Sequence, residues 1–143
     1  MSTAVGMSAA FCHLLELPPK MRYEPSLYVR LHRTLHPNFG RISGPVEAAS
    51  VVTASALAWN LRKRGRPAKL AAAAAGCLAA AHAIFWATVQ PANQTMFTWK
   101  LDAIPQEWIG WRNQWEYSHA ARAVLVTAAL AMLAAEAVNE SRR

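Results

Sequence analysis

The chain has 143 residues, 54% of them hydrophobic and only 16% charged, with a formal net charge of +7 and a mean hydropathy of +0.09. A soluble domain carries about 25% charged residues; here the deficit is concentrated in particular stretches, which excludes an ordinary soluble domain and points to a single membrane domain over residues 1–143. The basic residues flank apolar segments and form no continuous basic face, which argues against nucleic acid and makes the headgroups of a lipid bilayer the expected anionic neighbours.

Ser2 to Leu17 is apolar but short, about 24 Å of helix against a hydrocarbon core of about 30 Å. It has no Lys or Arg to form the n-region of a signal peptide, and is expected to be retained. His13 and Glu16 lie one turn apart on one face of this helix, and Pro18-Pro19 is predicted to end it. Cys12 and Cys77 each fall inside an apolar run without metal-type spacing and read as small buried hydrophobes.

From Lys20 to Ser43 the chain is amphipathic and basic, with a short helix expected over Pro25 to Leu35 and lying on the membrane surface. His32 and His36 are spaced i, i+4, but Pro37 argues that the helix has already ended, so they read as a surface pair and not as a metal site. A second apolar helix is predicted over 45–63, with Glu47 in its first turn. That carboxylate either complements the helix dipole or faces inward to meet a cation or a metal.

A tight basic turn, Arg62 to Pro67, precedes Leu70 to Gln90, a stretch without formal charge that is the clearest transmembrane segment, with a helix predicted over 68–90. Its first half is Ala-rich and suited to close helix packing. In its second half His82, Trp86, Gln90 and Asn93 follow at steps of four and three, forming a polar and aromatic stripe. Pro105 then begins a last helix, 105–138. Steps of three and four put Trp108, Trp111, Trp115, His119 and Arg122 on one face, with Arg112 beside Trp108. Indoles at such a place form an interfacial belt in many membrane proteins; His119 and Arg122 argue for an inward-facing lid instead.

The predicted fold is therefore all-α: an integral membrane four-helix bundle, up-down-up-down, with an amphipathic loop helix after helix 1 and a Trp-rich extension of helix 4. Alternating direction brings His13, Glu16, Glu47, His82, Gln90, Asn93, Arg112, His119 and Arg122 to one side of the membrane. With Arg122 at the helix mouth left aside, the other Lys and Arg divide evenly between the two sides, and the denser turn at 62–67 favours cytoplasmic termini, in a bacterial inner membrane.

Asn93, then Trp108, Trp111-Arg112, Trp115, His119 and Arg122 before a final apolar helix resemble the C-terminal signature of the domain-of-unknown-function 1772 family, also called anthrone oxygenase-like. His13-Leu-Leu-Glu16-Leu-Pro-Pro-Lys20 and the Gly40 to Glu47 region are similar to its N-terminal half. The resemblance implies a small four-helix membrane protein, with some relatives linked to oxygenation of anthrones to anthraquinones. On that footing the expected function is an oxidoreductase or oxygenase acting on a lipophilic aromatic or quinone-like molecule.

Deprotonating an acidic methylene needs a base and a partner for the developing oxyanion. His119 or His82 is the expected base, Arg122 and Asn93 the oxyanion partners, and Trp86, Trp108, Trp111, Trp115 and Arg112 the substrate walls. The expected cofactor is either none or a single iron or copper ion, for which His13, Glu16, Glu47, His82 and His119 offer N and O ligands. The alternative is a non-catalytic membrane subunit or assembly factor, a homo-oligomer or part of a larger complex, whose polar residues act as interhelical glue.

Overall fold

A computed structural model describes residues 2–142, and among these the chain is helical with no strand. Helix α1 spans Ser2–Lys20, α2 Pro25–Lys63, α3 Lys69–Ile84, α4 Gln90–Thr98 and α5 Trp108–Ser141. A π-helical turn, Phe85–Val89, joins α3 to α4 without a break, so four long rods make up the fold. Each rod packs against two neighbours: α1 against α2 and α5, and α3 against α2 and α5.

The proline signals expected to stop a helix are absorbed. Pro18 and Pro19 lie within the last turn of α1, which carries the helix on to Lys20 and turns that side chain inward. Pro37 and Pro45 lie inside α2. Neither can donate to the carbonyl one turn back, yet the helix continues as one rod of about 58 Å. The separate surface helix expected over Pro25 to Leu35 is thus the first third of α2. At Pro91 the missing donor is accommodated by the π turn, in which the Gln90 N–H reaches back five residues to the Phe85 carbonyl. The helix predicted to end at Gln90 runs on to Thr98 as a result.

Burial follows helical spacing. Along α2 the inward positions are Tyr28, Val29, His32, His36, Ser50, Ala54, Ala58 and Leu61; along α5 they are Trp115, Glu116, His119, Arg122, Ala123, Val126 and Ala129, with Glu136 a few turns on. The α3–α5 contact is built from Ala74, Leu78 and Ala81 against Val126 and Ala129, small side chains that let backbones approach closely. A second core, Tyr28, Val29, Val89, Ala92, Met96, Trp99 and Trp115, holds the other end.

Two rods, Lys69–Thr98 and Trp108–Ser141, are long and apolar enough to cross a membrane, and only 22% and 28% of their most apolar windows are buried. A core helix of a soluble protein would be mostly buried, whereas these present apolar side chains outward. Helices α1 and α2 fall short of the same measure, although Leu15, Ile42, Val52 and Trp59 project from them into the surroundings. Cys12 is also exposed, on the outer face of α1, and so is not the buried hydrophobe its apolar neighbours suggested.

The alanine seam gives a first prediction. Ala129 is fully buried against α3 while Val124 is 65% exposed. Ala129→Leu should destabilise the protein by about 1–3 kcal/mol through overpacking, and Val124→Leu should leave the melting temperature in detergent unchanged.

Candidate functional site

A cavity of about 600 Å³ lies between α1, the middle of α2, the π turn and the first half of α5. Its wall includes His13, Glu47, His82, Trp86, Gln90, Asn93, Trp115, His119 and Arg122, nine residues that the sequence suggested would meet. The space exists because the inward seam of α2 carries Gly40, Ser43 and Gly44 between His36 and Ser50. A Cβ built at Gly40 or Gly44 would meet nothing within 4 Å.

At one end of the cavity Arg122 Nη2 donates to both Glu47 oxygens, at 2.6 and 2.7 Å, and its Nε donates to the Ala81 carbonyl at 3.1 Å. Glu47 therefore faces inward and meets a cation, tying α2 to α5, while Arg122 also ties α5 to α3. Much of the guanidinium's donor capacity is spent on protein acceptors.

Hydrogen-bond partners fix which imidazole nitrogen carries a lone pair. His82 Nε2 accepts from the Trp86 indole at 3.0 Å. An indole N–H can only donate, so that lone pair is already engaged, and a neutral His82 carries its hydrogen on Nδ1, 3.9 Å from Glu47. His119 is the reverse: its Nδ1 lies 3.0 Å from the Trp115 carbonyl, which can only accept. Neutral His119 thus keeps its lone pair on Nε2, with its ring at the cavity wall. Of the two expected bases, His119 has its lone pair uncommitted and His82 does not.

Trp115 is 1% exposed, and its Nε1–H donates to Asn93 Oδ1 at 2.8 Å. Its ring lies 3.9 Å from that of His119 and 4.5 Å from that of His36. Around it gather His13, His32, His36, His119 and the Lys20 ammonium, 5.0 Å above the indole.

His32 and His36 are buried at 0% and 9% exposure. They are not a surface pair, because α2 does not end at Pro37 and so carries both against α5. With both rings neutral, the donor order follows from the cation beside them. The Lys20 ammonium donates to His36 Nε2 at 3.3 Å, so His36 Nδ1–H donates to His32 Nδ1 at 3.1 Å. His32 then carries its hydrogen on Nε2, which is buried without a partner.

The expected ligand set divides. Glu47 and His82 belong with Arg122, whereas His13 and Glu16 approach His36. His119 meets His13 edge-on, at 4.5 Å between ring centres. The five residues are drawn to two centres because α2 presents His36 and Glu47 three turns apart on one seam.

Trp108, Trp111 and Arg112, expected as substrate walls, do not line the cavity. Both indoles pack on the Tyr28 core. Arg112 stacks on Trp108 at 4.9 Å and donates to the Met21 carbonyl at 3.0 Å, fastening α5 to the α1–α2 turn. Of the expected walls, Trp86 and Trp115 remain, Trp86 at the rim with 59% exposure.

Lys20, Tyr28 and Glu116 were not anticipated. The buried Tyr28 hydroxyl donates to Glu116 Oε1 at 3.0 Å. One signal was available: Glu16 and Lys20 stand i, i+4, in the orientation that favours a helical ion pair, here 2.6 Å long. Comparison of the chain with family models, curated proteins and solved structures gives no match.

Breaking the Glu47–Arg122 pair tests its weight. Arg122→Met should cost about 3–5 kcal/mol, since it strands a largely buried carboxylate. The double substitution with Glu47→Met should cost less than the sum of the single ones, as read by thermal unfolding in detergent.

Proposed function

We propose that the chain is a four-helix, up-down-up-down bundle inserted in a bilayer, and that its cavity takes a flat, lipophilic aromatic or quinone-like molecule. The reading is an oxidoreductase or oxygenase of the anthrone oxygenase-like type, with His119 as the base. The observation that carries it is the pinned His119 tautomer, a lone pair on Nε2 at the wall of an otherwise largely apolar cavity. The outward apolar faces of Lys69–Thr98 and Trp108–Ser141 support insertion in lipid.

In this mechanism His119 Nε2 takes a proton from the methylene of an anthrone, and the electron pair delocalises onto the ring carbonyl as an enolate. Asn93 is the nearby amide donor, since its oxygen already accepts from Trp115 and its NH2 group is the end left to donate. The carbanion adds dioxygen from solution, and the hydroperoxide loses water to leave a second carbonyl. One dioxygen is consumed and one water released per quinone formed. Arg122, neutralised by Glu47, acts here through position more than charge.

The alternative, a non-catalytic membrane subunit, draws on the same Glu47–Arg122 pair, which is what interhelical glue would look like. His119→Gln distinguishes the two. The enzyme reading expects a folded protein whose conversion of an anthrone to the quinone, followed by absorbance, falls by a factor of about 10² to 10⁴. Unchanged turnover in His119→Gln would overturn the assignment of the base. Absence of turnover in the wild type, with copurification in fixed ratio with another membrane protein, would favour the subunit reading.

The cavity itself is tested at Gly44. Gly44→Leu points into open space and should keep the fold while abolishing quenching of tryptophan fluorescence by an anthraquinone, which the wild type should show.

A further inference from the structure

The geometry points to a binding site for a divalent first-row transition metal at His13, Glu16 and His36, which Lys20 closes when the metal is absent. His13 and His36 also line the cavity, so the metal would sit in its wall, but the site does not depend on the His119 chemistry. One ligand atom from each of the three residues lies within 4.8 Å of the others. Two imidazoles and one carboxylate, with further positions open, form a donor set that suits iron(II) and also zinc.

Four features support it. His13 is 6% exposed, and its Nδ1 is buried with no hydrogen-bond partner, 3.8 Å from Glu16 Oε2. That distance is too long for a hydrogen bond and close to the separation of about 3.4 Å between two ligands of a tetrahedral ion with bonds of about 2.1 Å. The His36 lone pair is held on Nε2, the atom facing the same point, by the donor order running through His32.

The point itself is already taken by a positive charge. Lys20 Nζ sits 2.6 Å from Glu16 and 3.3 Å from His36 Nε2, where its ammonium serves as the local cation. A fourth feature gives that ammonium somewhere to go. Glu116 Oε2 is fully buried without a partner, and Glu116 Oε1 is 4.0 Å from Nζ. A shift of about 1 Å would bring Lys20 into hydrogen-bond range of Glu116. It would draw the ammonium off Glu16 and His36 toward a second, buried carboxylate, whose Oε1 already accepts from Tyr28.

Cobalt(II) is the probe, added to the full chain in detergent after treatment with a chelator. No substrate enters, so the outcome is separate from that of the His119 experiment. The wild type is expected to bind one equivalent with the visible absorption of low-coordinate cobalt. Affinity should fall about tenfold or more in Glu16→Gln and in His36→Ala, and rise in Lys20→Met, which removes the competing charge. Cys12→Ser should leave it unchanged, which excludes the exposed thiol as the ligand. Failure of the wild type to bind cobalt(II), zinc or iron(II), or binding that survives both Glu16→Gln and His36→Ala, would overturn the site. Loss of binding in a folded Lys20→Met would overturn the displacement. Should Lys20→Met not fold, the wild type and His36→Ala decide alone.

Discussion

The buried indole of Trp115 is the contact on which the polar interior depends. Its N–H is satisfied by Asn93, its own backbone carbonyl fixes the His119 tautomer, and its faces and edges pack against four imidazoles and an ammonium. An indole can do this because it combines a large apolar body with one directional donor. Replaced by an aliphatic side chain, the same position would leave Asn93 and the surrounding imidazoles without a common wall, and each would have to find separate partners.

A second constraint is charge neutralisation. Arg122 meets Glu47 with two short contacts, and Lys20 meets Glu16, so each deeply placed cation has a carboxylate on a different turn or helix. Isolated charges at such depth would be expensive. The pairs are arranged unevenly: Glu47–Arg122 links α2 to α5, while Glu16–Lys20 stays within α1. The first holds the helices together. The second leaves its cation one short movement from Glu116, which is why the two ends of the polar interior differ in what they could do.

The alternating-helix argument anticipated much of the cavity wall. His13, Glu47, His82, Asn93, His119 and Arg122 do meet there, because helical spacing and short connections fix which ends are neighbours. It failed where a proline was taken as a helix end. Pro18, Pro37 and Pro91 each sit within a continuous rod, and the residues most affected, Lys20, His32 and His36, are those whose inward orientation went unrecognised. Proline removes one donor, a local cost that packing along a long buried seam outweighs.

What the sequence determined by itself was helical content, the strongly apolar rods and the identity of the polar residues that could meet, since these follow from spacing and composition along one chain. Only the tertiary structure decided which of them share a contact. Trp108, Trp111 and Arg112 share a helix with Trp115 and His119, yet they pack on Tyr28 and the α1–α2 turn, because the adjacent helices cover different turns of α5 with different surfaces. Likewise the lone pair on His119 and its engagement on His82 depend on a carbonyl and an indole supplied by the folded chain, since the tautomer of an imidazole follows from its neighbours and not from its place in a sequence.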